Sequence, residues 1–464
     1  MTIVSGKWTS SSIRRCFIDY FVNKHGHQFI PSSSVVSPDP SLLFVNAGMN
    51  QFKDIFIGKI GDNHQFNHLK RAVSSQKCIR TGGKHNDLDV VGYNLRHHTF
   101  FEMLGNWSFN DYFKKEACSM ALDLITNEYK LPVERLMITY FSGDEKLSIA
   151  EDEETKEIWL SLGLPQDRLI PLGVKENFWE MGESGPCGVC SEIHFQLEPQ
   201  SRSLGDCLEI WNLVFMQYNK DKTGNLEKLS SNHVDTGMGL ERMTSVLNGV
   251  NSNYDTDLFQ PLFDTISKMT ECEPYRGSLT DQRDVAYRII ADHLRMITIS
   301  LADGLEPGTK DAGRHFRKLF RKVFVHLLYD FNYSHPEKVL LELAQQVGNN
   351  LGDFYSEVPM KMESIRSTIK RESSLANEII NRANNMFAKI ADRLDSKKET
   401  TISGEIAFDL FLNGGASTFM IDKMASTRSL KVDWKQFEVN FEKHKAKSAE
   451  GLEDKRGVRK FVKS

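Results

Sequence analysis

Partway along the chain the texture of the sequence changes, and this change limits the fold more than any single residue does. Up to about residue 250, strand-like apolar runs such as 42–45, 136–141 and 208–218 alternate with Gly-rich or polar loops. From Asp284 onward glycine and alternation thin out, and helical periodicities take over at 285–301, 315–329 and 360–394. The first half therefore reads as a mixed α/β domain over 1–252, and the second as a mostly helical domain over 253–464. With 464 residues, 40% hydrophobic and 26% charged, the chain can build two or three domains with cores of their own. There is no internal repeat, and the Lys- and Glu-rich stretch 443–464 reads as a solvated end.

Charge and composition exclude several classes. A total of 58 basic against 62 acidic residues gives a net charge of −4, so bulk electrostatics cannot coat nucleic acid and any RNA contact needs a local basic surface. No run approaches the roughly 18 apolar residues of a membrane span. Seven scattered cysteines fit a reducing compartment without disulfides. The first eighteen residues hold Lys7, Arg14 and Arg15, several Ser and Thr, and no acid before Asp19, which is the composition of a mitochondrial presequence. The same residues fit a first helix, with Ser10, Ser11 or Ser12 as cap and Ile13, Phe17 and Phe21 beside Cys16 and Tyr20 as its apolar stripe.

Two segments carry candidate chemistry. Neither common phosphate-binding fingerprint is present, because Gly82-Gly83-Lys84 is followed by His85 and no G-x-G-x-x-G opens a helix after a strand. Instead, strand-like 77–80 and 97–104 are joined by a polar loop. An arginine leaving a strand, here Arg80, grips a phosphate bidentately, and a facing His and aromatic hold a base. His97 and His98, as strand neighbours, would face opposite ways, so one of them is expected to be structural. In the second segment, 234–242, two glycines admit a ligand to the backbone, Asp235 offers a carboxylate to an ammonium group, and Arg242 offers a cation to phosphates. Taken singly, a salt-bridged surface arginine and a plain turn are the ordinary alternatives.

Their joint order resembles motifs 2 and 3 of class II aminoacyl-tRNA synthetases. Longer strings resemble the alanyl-tRNA synthetase family across nearly the first 300 residues: LLFVNAGMNQFK at 42–53, GGKHNDL at 82–88, HHTFFEMLGN at 97–106, NFWEMG at 177–182, GPCGVCSEI at 185–193, EIWN at 209–212 and DTGMGLER at 235–242. The resemblance implies an α+β fold, with an antiparallel-sheet catalytic domain followed by a helical tRNA-recognition domain. It also implies ATP-dependent activation of alanine and transfer to the 3′ end of tRNA(Ala), with Mg²⁺ as cofactor.

Residue by residue, the resemblance implies that Arg80 holds the α-phosphate. His98, Trp179, Asn212 and the backbone around Ile210 and Trp211 line the nucleotide site, and Gly239 and Arg242 close it. Asp235 takes the alanine ammonium, and Asn212, Val214 and Trp179 bound a methyl-sized pocket. Glu209 is the Mg²⁺ candidate, and Lys84 and His85 meet the incoming tRNA end. Cys187, Cys190 and His194, with Cys207 as a fourth ligand, have zinc-like spacing, but the resemblance makes the Gly-Pro-Cys string a loop near the active site, so no zinc is expected.

In the helical half, Arg314, Arg317, Lys318, Arg321 and Lys322 share one helix face, with Phe316, Leu319, Phe320, Val323, Phe324 and Leu327 on the other. A solvated charged face is the ordinary reading; after a synthetase-like core it is better read as an acceptor-stem contact. The family's Asn and Asp readers of a guanine–uracil pair are missing at the matching strings 308–313 and 414–419. This leaves a displaced wobble pair or tRNA shape as the determinant. The chain stops where relatives continue into editing and C-terminal domains, so the expectation is a monomer without editing, in the mitochondrion, with the cytoplasm as alternative. Two other functions stay open: adenylation with transfer to a protein amine, and a non-catalytic tRNA-binding relative.

Overall fold

The apolar alternation of the first half becomes one sheet in the computed structural model, which describes residues 8–39, 41–82, 85–201 and 203–446. Its nine strands are β1 (Gln28–Phe29), β2 (Arg71–Ile79), β3 (Phe100–Phe109), β4 (Leu136–Phe141), β5 (Leu169–Leu172), β6 (Phe178–Glu180), β7 (Gly185–Gln196), β8 (Cys207–Lys220) and β9 (Leu226–Gly239). The order is β1-β2-β3-β9-β8-β7-β4-β5, with β6 against β7. Interior neighbours are antiparallel, while the edge pairs β1/β2 and β4/β5 are parallel. With the helices below, this is the expected α+β class.

Because side chains alternate along a strand, the sheet has two distinct faces. One face packs Leu104, Trp211, Leu213, Phe215, Val234 and Met238 against α1 (Ser10–Asp19) and α2 (Leu240–Leu247). The other carries Trp107, Cys190, Val214 and Met216 and packs on Phe52 and Phe56. The α1 helix starts one residue before the expected caps: Thr9 accepts from the Ser12 N–H, and the Ser12 side chain returns the bond. Ile13, Phe17 and Phe21 are fully buried, and Arg14 is held by Glu102, so the helix reading is the one realised for 10–19.

Not every apolar run became a strand. Residues 42–45 are irregular, although Val45 donates to Val35 O at 3.0 Å and accepts the Ile79 N–H at 2.8 Å. His97 and His98 precede β3, which begins at Phe100, so the rule of opposite faces does not govern them.

The secondary structure changes character after β9, as the sequence suggests, but the compact units divide elsewhere. One comprises Met1–Phe316 and Glu342–Met362, the other Arg317–Leu341 and Glu363–Ser464. The cause is α3 (Gln282–Ala302), which is buried on all sides from Asp284 to Ala302. Its Asp292 accepts the Thr99 N–H at 3.0 Å, and its Arg295 pairs with Glu241 at 2.7 Å. Sequence texture records secondary structure, not which elements pack together. The second unit includes all but the first residue of the long helix α5 (Met362–Lys397) and most of α4 (Asp311–Tyr329). No helix of the described residues is long and apolar enough to cross a membrane.

Candidate active site

On the Trp107 face of the sheet lies a cavity of about 580 Å³. Strand parity explains its lining: Arg80 just beyond β2, Phe101 and Met103 on β3, Asp235 and Gly237 on β9, Asn212 and Val214 on β8, and Glu192 on β7 all project to this side. The cross-strand pairs Val214↔Asp235 and Asn212↔Gly237 place an acid, an amide and a methyl-bearing wall side by side. A Cβ at Gly237 would lie 2.8 Å from Met103 Sδ, so a side chain there would have to displace the Met103 thioether. Trp179 on β6 closes one side.

Glu209 reaches the same cavity through a bulge. The β7/β8 register shifts between Glu209 and Trp211, and this extra residue puts Glu209 on the face of Asn212 rather than the opposite one. Its carboxylate bonds Arg242 at 2.8 Å, and Arg242 also donates to the Glu209 carbonyl at 2.9 Å. Arg242 stands in the first turn of α2, after Gly239 at the N-cap. Burial pushes the Glu209 carboxyl up, but Arg242, His194 and Arg80 outweigh it and hold it below its ordinary value. Burial, reinforced by the charge of Glu209, raises the neighbouring Glu192 carboxyl against the pull of its 2.9 Å bond to His194.

Arg80 lies with its guanidinium 5.0 Å from the Phe101 ring centroid and donates to Asn46 O at 3.2 Å. The planar cation is held in one orientation, as bidentate phosphate recognition requires. Asp235 is 6% exposed and accepts the Trp107 indole N–H at 2.6 Å. Burial pushes its carboxyl up to about 7, with the indole bond opposing. A buried, half-ionised carboxylate facing a cavity is a place for a cation.

The other expected residues divide. His98 lines the cavity, yet its polar edge is committed, with Asn253 at 3.0 Å and Asp292 at 3.3 Å, and its ring stacks on Phe259. His97 lines the cavity as well. Ile210 and Trp211 turn to the opposite face, Trp211 packing on Phe17 and Phe21, so only their backbone is left for the expected role. Lys84 lies outside the described residues; His85 contributes backbone to a short hairpin, and its side chain lies outside the description.

The zinc-like set is spread apart: Cys187 packs on one face of the sheet and Cys190 on the other, while Cys207 pairs with Gln196, nine positions along β7 from Cys187. On α4 the expected apolar face is buried, but the basic face is partly consumed. Arg317 holds Glu372 through two bonds, Arg321 donates to Arg317 O, and Lys322 lies over Phe419, leaving Arg314 and Lys318 exposed.

Arg96, Asp87, Phe101, Glu192 and Glu176 are cavity residues that sequence reasoning did not single out. Glu192 stood inside a quoted string, but nothing in that string ranks it above its neighbours. The family model of tRNA synthetases class II (A) matches residues 12–463. The alanine–tRNA ligase of Schizosaccharomyces pombe is 42% identical over 96% of this chain and 47% of its own length. The mitochondrial alanine–tRNA ligase of Saccharomyces cerevisiae is 42% identical over 98% and 47%, and the cytoplasmic one of Dictyostelium discoideum 45% over 92% and 46%. The chain thus spans about half the length of these relatives. On the match over almost its whole length, the chain belongs to the class II (A) tRNA synthetases.

Proposed function

We propose that this chain carries the aminoacylation activity of an alanine–tRNA ligase: it activates alanine with ATP and transfers it to the 3′ end of tRNA(Ala). The observation that supports this most is one cavity lined by two kinds of group. Arg80 and Arg242 supply cations for phosphates, and the buried Asp235 beside Asn212 and Val214 supplies a cation seat with room for a small side chain. The alanine carboxylate oxygen bonds to the α-phosphorus, the bond to the bridging oxygen breaks, and pyrophosphate leaves. No enzymic nucleophile is needed, so the side chains act by positioning and charge neutralisation. A ribose hydroxyl of the tRNA end then attacks the adenylate carbonyl and AMP leaves.

Mg²⁺ fits the donor set. Among the described residues no cluster of three metal-ligating side chains is present, but Glu192 and Glu209 face the same cavity as mutually repelling carboxylates. Two carboxylates completed by phosphate oxygens and water suit this ion, with Glu209 shared with Arg242. When bound, the ion neutralises phosphate charge. His98 serves the reading as a fixed wall rather than a donor, and Phe101 as the platform of Arg80. Gly239, the N-cap of α2, leads β9 directly into the helix turn that carries Arg242.

For tRNA, Arg314 and Lys318 are the exposed cations that would meet the acceptor-stem backbone, with Lys84 and His85 at its 3′ end. The compartment is proposed to be the mitochondrion, with the cytoplasm as alternative; of the basic residues that suggest a presequence, Arg14 and Arg15 belong to α1, and Lys7 lies outside the described residues. Relatives carry both mitochondrial and cytoplasmic names. Pyrophosphate exchange into ATP with alanine, serine or glycine tests the activation step. Alanine-dependent exchange that disappears in Asp235→Ala is expected, and no exchange with any of the three would overturn the reading.

A further inference from the structure

We propose that Trp107 is a positioning residue for amino-acid recognition: its indole N–H, locked in place by two glycines, fixes the Asp235 carboxylate as the ammonium seat of the cavity. This rests on the reading of Asp235 given above.

Trp107 and Asp235 are directly opposed on β3 and β9, and the indole nitrogen lies 2.6 Å from Oδ1. The ring itself is fully buried and packs on Phe52 at 4.8 Å between centroids. Two glycines make room for it. A Cβ at Gly48 would lie 2.6 Å from Trp107 Cζ2, and one at Gly105 would lie 2.5 Å from the same atom and 2.8 Å from Thr236 O. The ring fills the space these glycines leave, and from that place its N–H donates to Asp235.

The charges around Asp235 are engaged elsewhere. Glu209 on β8 holds Arg242 of α2, Glu192 on β7 holds His194, Glu102 on β3 holds Arg14 on the far face, and Arg80 beyond β2 lies over Phe101. The indole bond is the interaction that favours the ionised Asp235 against burial. A donor that occupies one oxygen leaves the other for a ligand in the cavity that Asp235 lines, so the bond bears on both the rotamer and the charge an ammonium would meet.

The test replaces Trp107 in the full chain with 3-benzothienylalanine, which keeps the bicyclic shape and substitutes sulfur for N–H. In pyrophosphate exchange, KM for alanine should rise about 10-fold, the worth of one hydrogen bond to a charged group. KM for ATP and kcat should stay within about two-fold. The acidic limb of kcat/KM for alanine should move to higher pH, a change that loosened packing alone would not produce. Independently of any substrate, the isotope-labelled Asp235 side-chain carbon followed by NMR should titrate at higher pH in the sulfur variant, with Asp235→Asn identifying the signal.

An unchanged titration, or an unchanged KM for alanine where the wild type is active, would overturn the proposal. A shifted titration in a chain whose wild type never exchanges pyrophosphate with alanine would overturn the substrate reading, and leave the indole's hold on Asp235 standing.

Discussion

Glu102 and Asp235 are buried carboxylates on neighbouring strands of one sheet, and the protein treats them in opposite ways. Glu102, on the core face, receives both Arg14 nitrogens at 2.7 and 2.8 Å, the Tyr355 hydroxyl at 2.8 Å and the Ser75 hydroxyl at 3.0 Å. Burial pushes its carboxyl up, but Arg14 and Tyr355 more than reverse this, and it stays below its ordinary value. Asp235, on the cavity face, has the Trp107 indole and rises to about 7. A structural charge is given its partners in the fold, whereas a ligand-binding charge is left short of one. Within the cavity Glu192 is raised as Asp235 is, whereas Glu209, which has Arg242 as its partner, lies below its ordinary value.

The sharpest way to break this contrast is to remove the partner on the core face. Arg14→Met leaves Glu102 buried without its counter-charge and should cost about 3–5 kcal/mol in denaturant unfolding. A loss under about 1 kcal/mol, the range of an exposed pair, would mean that Glu102 is not the structural member of the pair.

On the cavity face the consequences reverse. Asp235→Asn should lower alanine-dependent exchange by about 10²–10³-fold, as expected for a buried charge pair losing one member, yet raise stability. Folded Asp235 binds its proton more tightly, at about 7, than at its ordinary 3.8, so the wild type is favoured at low pH and loses that advantage as pH climbs from about 4 to about 7. Relative to wild type, the Asn variant should therefore gain on the order of 3–4 kcal/mol above pH 7, fading towards pH 4, in unfolding curves taken across pH.

Gly105→Ala should fall between these two cases. Its Cβ would press on the Trp107 ring, costing about 1–3 kcal/mol as overpacked cores do and raising KM for alanine as Asp235 loses its anchor. The smallest effects belong on α4. Lys318→Ala should leave stability within about 0.5 kcal/mol, while weakening tRNA binding and flattening its salt dependence by close to one phosphate contact. Arg317→Ala should instead destabilise the second unit, because Glu372 is 3% exposed and loses its guanidinium.

What was legible in the sequence follows the same physics. Arg80, Asp235 and Arg242 were visible as chemistry within a motif, and Trp179, Asn212 and Val214 only through the family resemblance; strand parity brings Arg80, Asn212, Val214 and Asp235 to one cavity, which Trp179 on β6 and Arg242 on α2 also line. Trp107 was not, because its role depends on a partner 128 positions away and on the β3/β9 register, which no local pattern encodes. The bulge at Ile210 was equally hidden, so the side of the sheet taken by Glu209 and the core position of Trp211 could not be told apart by alternation. The helical periods at 285–301 and 315–329 were read correctly as helices. That α3 belongs with the sheet depends on buried contacts of Asp292 and Arg295 that a change of texture cannot show. The basic face of α4 was right in its geometry, but side-chain partners on α5 and at Phe419 decide which cations remain exposed.

The most direct test of the central claim, that Asp235 waits in the cavity for an ammonium group, is the proton balance of ligand binding. A non-hydrolysable alanyl-adenylate analogue would be titrated calorimetrically in buffers of different ionisation enthalpy. With a carboxyl near 7, the wild type at pH 7 should release roughly half a proton more than Asp235→Asn does, a difference that declines towards none by about pH 8.5, since the ligand's own amine, at about 8, titrates in both. Release that is unchanged in the Asn variant would contradict the assignment of Asp235 as the ammonium seat.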